Sequence, residues 1–144
     1  MTRYLSFGLT LAMIPMTAMA QDAITFPYPG SFEDASFAVE SAIIDRGLVI
    51  DFTSHVGDML NRTGADVGSA EVIFDNAQIF LFCSAAVSRR VMEADPMNIM
   101  HCPYGIFVAE REGAVLIGHR DYPDGPMQEV EALLDAIILE AMAQ

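Results

Sequence analysis

The sequence predicts an α+β fold, an antiparallel sheet with helices packed on one face, and three observations lead there. Segments rich in β-branched and aromatic residues alternate with amphipathic stretches in the order β-α-β-β-β-β-α, with two short helices inserted. Ile99 to Arg120 reads as two apolar strands joined by a turn at Glu110 to Gly113, a hairpin. The chain closes on a stretch whose apolar residues recur at helical spacing from Val130 to Ala141. No internal repeat, linker or low-complexity segment interrupts this order.

The elements follow in turn. Ile24 to Tyr28 is a short first strand, and Pro27 places it at a sheet edge because proline cannot donate to a ladder. Ser31 is the N-cap of the first helix, with Asp34 at the capping-box position. Phe32, Ala35, Val39 and Ile43 line one side of that helix, and Gly47 ends it. Leu48 to Ser54 is a second strand and His55 to Gly64 a short helix. Strand material around Val72-Ile73-Phe74 breaks at Asp75-Asn76, a turn or bulge, and resumes from Gln78 to Phe82. Ser84 caps another short helix, with Val87 and Val91 on one face, which stops before Asp95-Pro96. The hairpin strands are Ile99 to Ala109 and Ala114 to Arg120. Asp124-Gly125-Pro126 opens the last helix, with Pro126 near its first position and Val130, Leu133, Leu134, Ile137 and Ala141 as its buried stripe.

Residues 1–20 have the three parts of a cleavable signal peptide. Arg3 gives a positive start, Leu5 to Thr17 an apolar run, and Ala18-Met19-Ala20 the small-x-small pattern before a cut at Gln21. The run is shorter than the about 20 apolar residues that span a bilayer, and no cysteine stands at the cut to carry a lipid. The expectation is an exported protein, periplasmic or secreted, whose working form is a single domain over residues 21–144.

Composition excludes several functions. The chain carries 7 Lys+Arg, all of them Arg, against 20 Asp+Glu, a net charge of −13. Such a chain repels the phosphate backbone of nucleic acids and anionic membrane surfaces, which basic residues must neutralise. With no Lys, Schiff-base chemistry and a Walker-type phosphate loop are ruled out.

Several segments together resemble a known family. Phe82-Cys83 precedes a short helix ending in Ala94-Asp95-Pro96, and Cys102-Pro103-Tyr104 then leads into Ile106-Phe107-Val108. Pro29-Gly30-Ser31-Phe32 opens the first helix and Arg46-Gly47-Leu48 closes it. In order and spacing these residues resemble the domain of unknown function 302 family over about residues 24–122. The resemblance implies a single α+β domain, similar in fold to the TATA-box-binding protein half-repeat, and commonly a dimer. It does not imply DNA binding, because fold does not fix function, and it brings no catalytic residues.

The hairpin holds the residues with chemistry. A loop of two or four residues puts Met100, Cys102, Tyr104, Ile106 and Val108 on one face with Val115, Ile117 and His119. His101, Phe107 and Leu116 take the other, and a three-residue loop would exchange the two sets. Both faces are largely apolar, so the face without helices needs a cover, for which a second copy of the chain is the simplest answer.

Met100, Cys102 and His119 combine thioether, thiolate and imidazole, a set that favours copper and especially Cu(I). Met92, Met97 and His101 lie near in sequence. The competing reading is a gap-filling core of methionines, a buried thiol and satisfied histidines. Cys83 and Cys102 form a disulfide, stay as two free thiols, or serve as ligand or redox groups; the spacing alone does not choose. Cys102 with His119 could also form a thiolate–imidazolium nucleophile, without an identifiable oxyanion stabiliser. Arg89-Arg90 is either an anion site or a solvated helix face paired with acids. The acidic residues are too dispersed for a calcium loop. The functional expectation is an exported, non-catalytic, homodimeric domain that binds a small molecule or protein partner. A copper-binding or carrier protein and a thiol-dependent enzyme are the competing expectations.

Overall fold

The computed structural model describes residues 23–144, so the expected signal peptide over residues 1–20 lies outside the described residues. Glu112 and Gly113 set the register of the sheet. Both have positive φ, 54° and 76°, the backbone that a two-residue hairpin turn demands. They join β4 (Tyr104–Arg111) to β5 (Ala114–Arg120), with Arg111 opposite Ala114, Val108 opposite Ile117 and Ile106 opposite His119. The two-residue alternative of the sequence reading therefore holds. Ile106, Val108, Val115, Ile117 and His119 share the face that carries the core, and Phe107 and Leu116 point away from it.

Three further strands complete an antiparallel sheet of order β1-β5-β4-β3-β2. β3 (Asn76–Cys83) pairs with β4, and β2 (Val49–Ser54) pairs with β3 across a bulge between Ile50 and Phe52. β1 (Ala23–Tyr28) pairs with β5 as an edge strand, where Pro27 can stand.

The core lies between the sheet and two long helices, α1 (Phe32–Asp45) and α4 (Gln128–Ala141). Ser31 caps α1, its Oγ accepting from Asp34 N–H at 3.1 Å and donating to Asp34 Oδ2 at 2.8 Å. The buried stripe of α1 is rich in alanine (Ala35, Ala38, Ala42), which brings the helix axis close to its neighbours. α4 buries Val130, Leu134, Ile137, Ile138 and Ala141, so Ile138 takes the place expected for Leu133, which is only partly buried. α3 (Ala85–Ala94), capped by Ser84, adds Val87 and Val91 to the core. α2 (Val56–Thr63) leans on the start of β3, where Gly57 sits on the Ala77 backbone. A Cβ at position 57 would stand 2.5 Å from Ala77 N. Among the described residues no helix is long and apolar enough to cross a membrane.

Two segments differ from the sequence reading. Val72 to Phe74 is not a strand; it is irregular chain between a 3₁₀ turn (Ala65–Val67) and β3. Its β-branched residues lack a ladder partner, because pairing with β4 begins only at Asn76, and Asp75 instead receives the hairpin turn through Glu112 N–H at 2.7 Å. Ile99 to His101 is likewise not a strand but part of a 3₁₀ helix, Pro96–His101. Asp95 causes this, because its side chain caps Met97 N–H at 2.9 Å and Pro96 follows with its φ preset. β4 therefore starts at Tyr104, after a cis Cys102–Pro103 bond. Met100, His101 and Cys102 leave the hairpin faces assigned to them.

Candidate functional site

The face of the sheet turned away from α1 and α4 holds a hollow of about 400 Å³. Ile79, Phe107, Ala109 and Leu116 form its floor, and Val56 and Phe74 stand at its side. Two glycines shape the floor. Gly118 lies under the Phe107 ring, where a Cβ would come within 2.5 Å of Phe107 Cζ and of the Ile24 carbonyl. Gly105 leaves room for Ile79 and Leu81, whose methyl groups would meet a Cβ at 3.3 and 3.2 Å. The ring can lie flat only because residue 118 has no side chain. At the far edge of the sheet Val49 and Phe52 are exposed, extending the apolar surface.

A second arrangement lies inside the core. His119 is 0 % exposed. Its Nδ1 is 2.7 Å from the Arg120 carbonyl and its Nε2 is 3.0 Å from Asp135 Oδ1. A carbonyl only accepts, so Nδ1 donates its proton to Arg120, and the hydrogen bond between Nε2 and Asp135 holds one further proton between imidazole and carboxyl. Neither ring nitrogen is left for a substrate, a nucleophile or a metal.

Tyr122 packs beside this pair, with ring centroids 5.8 Å from His101, 6.3 Å from Tyr104 and 6.4 Å from His119. Its backbone is held by α4, since Glu131 accepts from Tyr122 N–H and Gln128 donates to its carbonyl, each at 3.0 Å. Its hydroxyl is buried and makes no hydrogen bond. Burial pushes the phenol up to about 12; the Gly105 backbone tempers this without reaching hydrogen-bond geometry. Tyr104 has a partner, Ser88 Oγ at 2.9 Å.

The residues proposed from the sequence are dispersed. Met100 is exposed on the 3₁₀ helix, the Cys102 sulfur is bonded to Cys83 with Cα atoms 6.7 Å apart, and His119 is saturated by Arg120 and Asp135. The structure brings Cys83 and Cys102 together, and it brings neither Met100 nor Cys102 to His119 as a ligand set. The thiolate–imidazolium pair is not formed either, because both of its members have other partners. Among the described residues no group of three or more His, Cys, Asp or Glu is placed to hold a metal ion. Arg89 pairs with Glu93 and Arg90 with Glu129, so the arginine pair is an ion-paired helix surface. The Arg90 guanidinium, hydrogen-bonded to Glu129, holds that carboxyl below the usual carboxylate range.

Sequence reasoning missed the hollow and the Asp135 contact. A lone glycine between Ile117 and His119 was the available signal for the first, since glycine inside an apolar strand marks a close approach. Asp135 borders the apolar stripe of α4, but nothing in the sequence says which strand that stripe meets.

These features belong to a small α+β domain with a helix-covered and an open sheet face. The family model described as "Domain of unknown function DUF302" matches residues 24–138, and the chain belongs to that family. The match reaches past the segment of resemblance read from the sequence and includes most of α4. A crystal structure of an uncharacterized conserved DUF302 protein from Bacillus stearothermophilus is similar in fold, with a TM-score of 0.58 and 16% identity over 83% of this chain and 86% of that one. No curated protein matches the chain.

Proposed function

We propose that the protein is an exported, non-catalytic binding protein that takes a small apolar molecule into the hollow of its open sheet face. The observation that carries this reading is the hollow itself. Its volume of about 400 Å³ falls within the about 300–1,000 Å³ of small-molecule sites, and such sites are lined mainly by apolar side chains. Phe107, Leu116, Ile79 and Phe74 supply that lining, and the surface turned to the hollow is apolar throughout, which is why the proposed ligand is apolar. The saturated nitrogens of His119 and the bonded sulfur of Cys102 favour binding over catalysis. Exposed Phe52 and Val49 on the same face favour a second copy of the chain as the cover for the remaining apolar surface. Export rests on the N-terminal pattern of residues 1–20.

The test is a titration with N-phenyl-1-naphthylamine, which fluoresces in apolar surroundings, alongside light scattering for mass. We expect saturable binding and a dimer. Leu116→Arg should abolish dye binding, and Phe52→Asp should shift the mass to that of one chain. A monomer that does not bind the dye would refute the reading. Sequencing the N-terminus of the exported protein should give Gln21 first.

A further inference from the structure

A well-anchored helix of six residues keeps three large apolar side chains in water. In the 3₁₀ helix Pro96–His101, residues three apart eclipse one another. Asn98 and His101 form the inward row: Asn98 Nδ2 donates to the Val91 carbonyl at 2.8 Å, and His101 is buried against the Tyr122 ring. Met97 and Met100 form an outward row, 67% and 71% exposed, with Ile99 exposed beside them. The segment is tied at both ends. Asp95 caps Met97 N–H, Cys102 N–H donates to the Ile99 carbonyl at 3.1 Å, and the Cys102 sulfur is bonded to Cys83. The backbone thus fixes two methionines on one side, about 6 Å apart along the helix axis, and neither is buried in return.

We propose that Met97 and Met100 form a site for a soft monovalent metal ion, Cu(I), held between their two thioether sulfurs. Thioethers are soft donors that select Cu(I) over the harder divalent ions. The nearby cysteines are spent on each other, so the methionines are the free soft donors of this surface. A thioether also survives an oxidising compartment that converts paired thiols to disulfides. Long, unbranched Met side chains can converge on an ion from a fixed backbone. The ion brings an uncompensated positive charge, which a chain of net charge −13 attracts. The site shares no residue with the hollow and does not depend on it.

The test uses the protein recovered from expression of the full chain, with its disulfide intact and any residual thiol blocked. Ag(I), a redox-inert substitute for Cu(I), is titrated into protein labelled with ¹³C at the methionine methyl groups. The methyl resonances of Met97 and Met100 should shift together and saturate at one ion per chain, while those of Met92 and Met127 stay in place. In competition with bicinchoninate for Cu(I), Met97→Leu with Met100→Leu should weaken binding at least tenfold, and each single change should fall between. Both side chains are exposed, so the circular dichroism of these variants should match the parent. Shifts confined to other methionines, no shift at all, or equal Cu(I) affinity in the double variant would overturn the proposal.

Discussion

His119 Nε2 on β5 lies 3.0 Å from Asp135 Oδ1 on α4, and the contact ties the last helix to an inner strand of the sheet. The imidazole is fully buried, whereas the Asp135 side chain keeps 39% of its surface in water. Loss of the aspartate leaves a buried ring nitrogen without a partner. Asp135→Ala should therefore lower the unfolding free energy by about 1–3 kcal/mol, measured by urea denaturation at neutral pH. Asp135→Asn keeps a group that can hydrogen-bond Nε2 and should lose less than half as much. An Asp135→Ala variant as stable as the parent would show that the contact contributes nothing.

Tyr122 behaves in the opposite way, because its hydroxyl is buried without a partner. Tyr122→Phe removes a polar group that has lost water and gained nothing, so stability should stay level or rise by about 1 kcal/mol. The same residue sets an alkaline limit. Its folded-state phenol lies at about 12, against about 10 for an unperturbed tyrosine. Above pH 10 the unfolded chain releases this proton while the folded chain keeps it. Stability is therefore full below that point and falls as pH rises toward 12. Denaturation followed between pH 9 and 12 should show this slope, and it should flatten in Tyr122→Phe.

Gly57 has no room for a side chain. The nearest atoms to an added Cβ are Ala77 N, O and Cα, at 2.5, 3.1 and 3.3 Å, all backbone. Gly57→Ala should lower stability by about 1–3 kcal/mol through overpacking, and α2 should move off β3. Hydrogen exchange at Ala77 and Gln78 would report that displacement. A thermal midpoint unchanged from the parent would contradict the close fit.

Cys83 and Cys102 close a loop of sequence separation 19. Chain-entropy arithmetic for such a loop gives about 3 kcal/mol, so Cys83→Ser with Cys102→Ser should lower the unfolding free energy by that order. Thiol titration of the denatured, unreduced parent should find no free thiol. Two free thiols per chain would refute the bond.

The sheet was legible in the sequence where local rules agree. The hairpin could be read from its two apolar strands, with the loop length left open; a loop of two or four residues assigns Ile106, Val108, Ile117 and His119 to one face by strict alternation, and the structure has that register. The α4 stripe was legible for the same reason, except for the exchange of Ile138 for Leu133. Ile99-Met100-His101 misled because its composition suits a strand, while the deciding signal was the Asp95-Pro96 cap just before it. Val72-Ile73-Phe74 misled because apolar composition does not supply a ladder partner. The candidate sites were the least legible. The hollow depends on what Gly118 lets Phe107 do, and the Asp135 contact on how α4 crosses β5, and both are tertiary facts.

The two rims of the sheet are each spoiled for further pairing. On β1, Pro27 has no N–H to offer, and on β2 the irregularity after Ile50 breaks the spacing of donors and acceptors. Unfinished rims are where sheets recruit strangers and grow into fibrils. This molecule is blunted at both, so its sheet offers strangers no regular ladder to extend into endless ribbons.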